Sequence, residues 1–489
     1  MVKINKDVNT TIKQIKKIYG NSSDLQSRTI KVKNKNIGII FMESSSSSST
    51  VSDFIIKAID YISKDTSILF NNIYHKIKNN IFNSQVITIK DFSQFPYFLS
   101  SGFTIIIVDG CEEAIVMETR AELDRGVTEA TNEPVLRGPK DSFTENHSKN
   151  LGLIRKRIKD STLWFDELKV GKRTKTRISI AYLNDVVNKN DIKKIKEKLN
   201  QINIDGILDS GNIKEYLNKQ KSSFPLILST ERPDLACLSI LNGKIIILVE
   251  NSPYVLILPS VFTDFIHTPE DEFENSYNIS FTRILKMLAF IITLFTPALY
   301  IAITTFDQAV VPDKLLISLA IQREGVPFPT WFEIILLMMI FEILRESDIR
   351  LPANMGASMS IVGALVLGEA AVNAGIVSPI AVIIVAITSI CSLLFTDVDF
   401  INGIRAWRLI FIIAATLLGV IGVISATLCF ILKLSSLETL KVSYLAPFSP
   451  FNKNDQKNSV IKFSLPRIFN RPSYLNLNDK TKQGGKYEK

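Results

Sequence analysis

The feature that most constrains this chain is the uneven distribution of charge along it. No lysine occurs between Lys314 and Lys433, in a stretch dominated by Ile, Leu, Val and Ala, whereas residues 1–283 are rich in Lys, Asn, Asp and Glu. At 489 residues, the chain also exceeds the roughly 250–300 residues that one hydrophobic core usually serves. We therefore expect a soluble N-terminal region and an all-α polytopic membrane domain.

Five segments of the second region are apolar enough to be candidate membrane spans. They lie at about 287–306, 328–344, 355–371, 376–396 and 409–432. Basic residues flank the first span and follow the last, which places both ends in the cytoplasm and requires an even number of crossings. Five spanning segments would give an odd number of crossings. The simplest way to keep an even number is for one segment, 355–371, to be re-entrant. An odd count with the tail outside is the alternative.

The N-terminal region predicts two α/β subdomains joined by a charged segment. Residues 1–120 combine helical apolar spacing with strands that turn at Asp109-Gly110, a dipeptide that tolerates positive φ. Residues 161–280 alternate strands and helices, with a hairpin turn predicted at Asn242-Gly243. The connecting segment, 121–160, is predicted to become helical near its end. The expected fold class is thus α/β for this region and helical for the membrane domain.

The membrane domain is placed at 284–432, and a basic cytoplasmic tail follows at 433–489. This tail carries eleven Lys/Arg against four Asp/Glu directly after an apolar span, which favours contact with anionic membrane lipids. A merely solvated tail is the alternative. The formal charge of +9 does not indicate nucleic acid, because no basic cluster with aromatic stacking platforms accompanies it. The serine run at 44–50 is predicted to be a flexible surface loop.

Glutamates inside apolar segments are the first candidate functional residues. An ionisable group in hydrocarbon is costly, so Glu333, Glu342 and Glu369 are expected to face a partner or a water-filled path. Glu333 lies about half a turn out of phase with Glu342 and needs a different partner. At the membrane surface the candidate coupling or structural ion pairs are Glu342 with Arg345 and Glu346 with Arg350.

Small residues at every fourth position mark one face of the segment 355–371. They are Gly356, Ser360, Ala364 and Gly368, and tight helix packing is the simplest explanation for them. In the functional alternative, copies of this segment meet around an axis and form an apolar constriction that gates by dewetting. The pore and gating candidates are then Ile361, Val362, Leu365, Glu369 and Glu333.

Signatures of enzymes and cofactor sites are missing from the sequence. It contains no GxGxxG, Walker, GxSxG or HExxH motif, and its four cysteines and three histidines lack metal-binding spacing. We therefore expect no enzymatic activity, no cofactor and no metal site.

Six long motifs, in order along the chain, resemble the GerA family of spore germination proteins, A-subunit type. They are GPKDSFTENHSKNLGLIRKRIKD at 138–160, TERPD at 230–234, SPYVLILPSVFTDFI at 252–266, REGVPFP at 323–329, FEILRESDIRLP at 341–352 and GALVLGEAAVNAGIVSP at 363–379. The resemblance spans roughly residues 100–435.

The resemblance implies a multi-pass protein of the spore inner membrane with its N-terminal region facing the core. Such A subunits are thought to assemble with a transporter-like, germinant-binding B subunit and a lipoprotein C subunit, and to form an oligomeric, nutrient-gated ion channel. Two alternatives stay open: an accessory spore channel that amplifies ion release, and a non-conducting membrane scaffold that clusters receptors.

Overall fold

The chain folds into two compact units, as seen in a computed structural model. The residues that the structure describes are 2–32, 35–57, 59, 73–80, 86–121, 133, 137–218, 222–350, 366–453 and 455–482. Unit 1 comprises Met1–Lys219, Ile227–Ser260 and Leu465–Lys489, and unit 2 comprises Gln220–Leu226 and Val261–Ser464. Unit 2 thus includes residues that precede 284–432, and the residues of the tail, 433–489, are divided between the two units.

Unit 1 contains two five-stranded sheets, in which every neighbouring pair of strands is antiparallel. The first has the order β1-β2-β4-β5-β3 and consists of β1 (Leu25–Val32), β2 (Lys35–Met42), β3 (Val86–Ile89), β4 (Phe103–Val108) and β5 (Ala114–Glu118). The second has the order β6-β7-β9-β10-β8 and consists of β6 (Leu163–Val170), β7 (Thr176–Leu183), β8 (Leu228–Thr230), β9 (Ile245–Val249) and β10 (Val255–Leu258). The two sheets thus share one topology, and the α/β class with two subdomains is confirmed.

The helices of unit 1 repeat in the same way. Around the first sheet they are α1 (Val8–Ile18), a short helix (Ser48–Thr50) that continues as a π-helix (Val51–Ile56), α2 (Ile73–Asn80) and α3 (Phe95–Ser100). Around the second they are α4 (His147–Arg157), α5 (Lys189–Asn200), α6 (Ser210–Leu217) and α7 (Pro233–Leu241). One helix precedes the first strand of each sheet, and another precedes the fourth. The helix α4, which was predicted in the connecting segment, therefore belongs to the second subdomain.

Apolar side chains on both faces of the first sheet explain why it needs helices on both sides. Ile40 and Ile105 pack in one core with α1 and α3, whereas Ile39 and Ile106 pack in a second core with α2. Successive residues of a strand point to opposite faces, so an unbroken apolar run such as β4 buries both. This burial fixes the register of the strands.

Two sequence predictions in unit 1 are wrong. Asn242-Gly243 is not a hairpin turn, because Pro233–Leu241 is a helix that Asn242 caps and Gly243, at φ 89°, ends. The turn between β9 and β10 lies instead at 250–254. The serine run is not a flexible surface loop throughout, because Ser44, Ser45 and Ser46 are buried.

The buried serines border a fully enclosed ion pair. The Arg155 Nε donates to Asp24 Oδ2 at 3.0 Å, and both side chains are almost completely buried. The hydroxyls of Ser22 and Ser44 donate to the same carboxylate at 2.7 and 2.9 Å. Burial would raise the pKa of Asp24, but the charge of Arg155 and these hydrogen bonds together lower it. Arg155 also lies over the rings of Tyr19 and Phe165.

Unit 2 is mainly helical. Its helices are α8 (Ser276–Thr305), α9 (Asp313–Gln322), α10 (Thr330–Arg350), α11 (Pro379–Ser392) and α12 (Val398–Ser436), and a small hairpin of β11 (Glu438–Thr439) and β12 (Val442–Ser443) follows. Of these, α8 and α12 are long and apolar enough to cross a membrane. Large apolar side chains on them are exposed, including Ile291, Leu417 and Ile421, which a hydrocarbon environment would cover.

The 39 residues of α12 form two antiparallel arms rather than one straight helix. Gly419 has φ 62° and ψ −140°, which interrupts the helix. A rise of 1.5 Å per residue would separate Trp407 and Phe430 by about 34 Å, yet their ring centroids are 4.9 Å apart. The predicted span at 409–432 is therefore a helical hairpin. Gly419 is needed at its tip because a side chain there would need a backbone conformation confined to glycine.

Candidate functional site

The most deeply buried of the predicted functional residues is Glu333, which lies in the first turn of α10. Its side chain is inaccessible to solvent, and its Oε1 accepts a hydrogen bond from the backbone N–H of Ser378, at the start of α11. Within the part of the chain that the structure describes, the other carboxylate oxygen, Oε2, has no hydrogen-bond partner. The hydroxyl of Tyr300, in α8, is also buried there. Tyr300 lies beside Ser378, within electrostatic reach of Glu333. Three helices thus meet at a polar junction with open hydrogen-bonding positions.

The Glu333 junction is an unusual arrangement energetically. A buried carboxylate is normally satisfied by several donors or by a cation. Here the start of α11 supplies one donor and the positive end of a helix dipole. Among the described residues the remaining oxygen has no donor, so this carboxylate is less well satisfied than a buried carboxylate normally is.

A second charged cluster lies farther along α10. Glu342 Oε1 is 2.5 Å from Arg405 Nη2, on the first arm of α12. Arg345 and Arg408 lie within electrostatic reach of this pair. The ion pair of Glu342 therefore joins two helices, whereas the sequence prediction placed its partner, Arg345, on the same helix.

The remaining predicted site residues are only partly described. Gly368 and Glu369 are exposed and lie in a π-helix at Val366–Ala370. Glu346 is exposed as well. The residues outside the described part of the chain are Gly356, Ser360, Ile361, Val362, Ala364 and Leu365, together with the side chain of Arg350. The re-entrant segment predicted at 355–371 also falls largely there.

Polar side chains at the start of α8 are buried rather than facing lipid headgroups. Arg283 donates to Asp271 Oδ2 at 2.6 Å and to the backbone oxygen of Ser459 at 3.1 Å. Lys286 donates to the backbone oxygen of Ile266 at 3.3 Å. The flanking basic residues of the first span therefore attach the helix to the segment before it and to the tail after α12.

His267 belongs to the same juxtamembrane network. Its Nε2 lies 2.7 Å from the backbone oxygen of Ser459. Burial, followed by the nearby charge of Arg283, lowers the pKa of His267 to about 4. The ring is therefore neutral near pH 7, and its protonation in acid would place a second positive charge beside Arg283.

Sequence reasoning missed the partners of these glutamates. Ser378 is an ordinary N-cap residue, and nothing in the sequence shows which carboxylate its N–H reaches. Arg405 and Arg408 did carry a signal, because they directly precede the uncharged run at 409–432. When that run is taken as one straight span, the sequence gives no reason to place Arg405 and Arg408 beside Glu342.

Comparison with known proteins decides the family. The family model described as "Bacillus/Clostridium GerA spore germination protein" matches residues 13–474. The chain belongs to the GerA family of spore germination proteins. The resemblance inferred from the six motifs, including the A-subunit type, is confirmed.

Individual relatives cover nearly the whole chain. It is 35% identical to spore germination protein KA of Bacillus subtilis (strain 168) over 97% of this chain and 87% of that protein. It is 30% identical to spore germination protein B1 of the same organism over 99% of this chain and 100% of that protein.

A solved structure is also similar, over a shorter range. The crystal structure of the N-terminal domain of the A subunit of the Bacillus megaterium spore germinant receptor GerK3 matches with a TM-score of 0.43 and 26% identity. The match covers 53% of this chain and 97% of that chain.

Proposed function

We propose that this GerA-family chain is the A subunit of a nutrient-germinant receptor in the spore inner membrane. Membership of the family along residues 13–474 supports the role in germination. The exposed apolar side chains of α8 and α12 support insertion in a membrane. Its partners are a transporter-like B subunit that binds the germinant and a lipoprotein C subunit, and the N-terminal unit faces the core.

The paths of the described helices support five crossings, by α8, α10, α11 and both arms of α12. Asp307, just after α8, accepts a hydrogen bond from Val420 at 2.9 Å, so the tip of the α12 hairpin reaches the far end of α8. Both arms of α12 then cross if α8 does. Glu333 joins the starts of α10 and α11 near Tyr300, towards that same end, so both helices run back from it. The connection between α10 and α11 lies partly outside the described part of the chain, and an even total of crossings would keep both termini on one side.

In this proposal, several copies of the chain assemble around an axis and form an ion channel. Glu369 supports an oligomer, because it is exposed on one copy although it lies between apolar segments. A ring of such carboxylates from several copies would line a water-filled path for cations. The apolar side chains of Ile361, Val362 and Leu365 would form the gate, and Gly356, Ser360, Ala364 and Gly368 the packing stripe.

The observation that carries coupling to the channel is the Glu333 junction. A signal that moves α11 changes the bond between Ser378 and Glu333, and thereby the position of α10. Because α10 directly precedes the segment 355–371, this displacement reaches the proposed gate. The cluster of Glu342, Arg345, Glu346 and Arg350 lies at the end of α10 nearest that segment.

Ion efflux from proteoliposomes that contain the full chain tests the channel. Val362→Ala should raise the basal leak several-fold, because a smaller side chain widens an apolar constriction. Val398→Ala, a matched change at an exposed position outside the proposed pore, should leave the leak unchanged. Glu369→Gln should reduce cation flux without reducing oligomer recovery, and Glu215→Gln is its control on the soluble unit. Silent membranes for every variant, despite confirmed oligomers, would refute the channel and favour the scaffold.

A further inference from the structure

Three arginines in unit 2 share one carboxylate at the boundary of the apolar helices. Arg405 is paired with Glu342 at 2.5 Å. Arg408 and Arg345 each lie within electrostatic reach of that pair and of one another, and Glu346 reaches Arg345 from the exposed side of α10. The cluster that joins α10 to the first arm of α12 therefore carries an excess of positive charge.

Arg408 is the least satisfied member of this cluster. The residue is 7% exposed, and among the residues that the structure describes its Nε has no hydrogen-bond partner. Its other nitrogens form no hydrogen bond or ion pair with those residues either. A buried guanidinium without an acceptor is strongly disfavoured, so an acceptor from beyond the described residues is expected here.

The depth of the cluster suggests the source of that acceptor. Trp407 donates its indole N–H to Ser223 at 2.9 Å, an arrangement typical of an aromatic side chain at a membrane–water interface. Directly after Arg408, the side chains of Leu409, Ile410 and Ile413 are about half exposed, as a lipid-facing surface would be. Arg408 thus lies where the polar and hydrocarbon layers meet, which is the level of the lipid phosphates.

We propose that Arg408, with Arg405 and Arg345, binds the phosphoryl group of an anionic phospholipid between α10 and the first arm of α12. A guanidinium donates two parallel hydrogen bonds to phosphate oxygens, and basic pockets between membrane helices are suited to anionic headgroups. The lipid phosphate accepts hydrogen bonds from the unpaired donors of Arg408, while Glu342 remains in its ion pair with Arg405. This site depends only on insertion of unit 2 in a membrane, not on channel activity.

Native mass spectrometry of the full chain in detergent, titrated with phosphatidylglycerol or phosphatidylcholine, tests the site. The wild-type chain should retain phosphatidylglycerol preferentially. Arg408→Gln and Arg345→Gln should each weaken that retention about tenfold, as expected for loss of one charge-assisted contact. Arg408→Lys keeps the charge and should restore most of the binding. Lys314→Gln, the same charge change on exposed α9, should have no effect.

A second titration with inorganic phosphate separates the two sources of a phosphoryl group. Phosphate in excess should leave bound phosphatidylglycerol in place if acyl chains contribute to the site. Binding of free phosphate alone, with no preference for the anionic lipid, would overturn the proposal. Undiminished retention of phosphatidylglycerol in both glutamine variants would also overturn the proposal. If Arg408→Gln fails to fold, the retention measured for Arg345→Gln, which changes a half-buried residue, decides the test.

Discussion

Buried charge is treated differently in the two units of this protein. In unit 1, Arg155 and Asp24 are enclosed together, and the carboxylate accepts from Arg155, Ser22 and Ser44. In unit 2, Glu333 is equally buried, but among the described residues one of its oxygens and the Nε of Arg408 have no hydrogen-bond partner. A complete network stabilises one structure, whereas an incomplete one leaves energy to be gained from a movement or a ligand. These two sites of unit 2 can therefore gain hydrogen bonds from a movement or a ligand, whereas the enclosed pair of unit 1 cannot.

The largest expected effect comes from breaking the complete network. Arg155→Ala leaves the Asp24 carboxylate buried without its cation, which should lower the free energy of unfolding of unit 1 by about 3–5 kcal/mol. Urea unfolding followed through Trp164 fluorescence, with Trp331 and Trp407 replaced by Phe, measures this. Arg173→Ala removes a pair that is 84% and 74% exposed and should change the value by less than about 0.5 kcal/mol. Equal losses of unfolding free energy in Arg155→Ala and Arg173→Ala would show that the buried ion pair contributes no more to stability than the exposed one.

The backbone of the membrane unit should be nearly as intolerant as the ion pair of unit 1. In Gly419→Ala, the new Cβ would lie 2.7 Å from Asp307 Oδ2 and would require positive φ, for a loss of about 3 kcal/mol. Gly325→Ala also requires positive φ but meets no atom within 4 Å, so its loss should be about 1–2 kcal/mol. Thermal unfolding in detergent compares the two. Similar losses would show that the hairpin tip is less closely packed than described.

Acid should weaken unit 1 through His147. Burial, followed by the charge of Arg177, lowers the pKa of His147 from its ordinary value of 6.5 to about 4. The unfolded chain therefore takes up a proton first as the pH falls, and the folded state loses about 2 kcal/mol between pH 7 and pH 5. His147→Gln can keep a hydrogen bond to Ser179, whose Oγ lies 2.8 Å from the ring, and should flatten the pH profile. A profile of unchanged slope in this variant would assign the loss to other groups.

The smallest expected change in stability is a gain in unit 2. Glu333→Gln keeps an acceptor for the Ser378 N–H but removes an incompletely paired charge, so the unfolding free energy should rise by about 1 kcal/mol. Glu333→Ala removes the acceptor as well and should destabilise the unit. Thermal unfolding of the two variants side by side gives the sign. If the glutamine variant is less stable than wild type, the Glu333 carboxylate is fully paired in the folded protein and contributes to its stability.

Local sequence patterns predicted the helices and strands better than the contacts between residues that are distant along the chain. Apolar spacing predicted helices and strands within residues 1–120, and the turn predicted at Asp109-Gly110 lies between β4 and β5, since each of these features depends on neighbours in sequence. The Asn242-Gly243 pair was misassigned because the same residues suit a hairpin turn and a helix C-cap. The shared topology of the two sheets has no local signature, since it depends on pairings between distant strands.

The candidate site shows the same limit. An intramembrane glutamate is conspicuous in sequence, which is why Glu333 and Glu342 were singled out. Their partners, Ser378 and Arg405, are 45 and 63 residues away along the chain, and only packing brings them together. An uncharged run of 24 residues at 409–432 does not reveal that a single glycine reverses it.

The unsatisfied charge in unit 2 is expected to serve function at the expense of stability. The most direct test is germinant-triggered ion release from spores in which this chain carries Glu333→Gln, at wild-type protein level. The account predicts a protein at least as stable as wild type whose ion release is slowed tenfold or more. Ion release at the wild-type rate from such spores would contradict it.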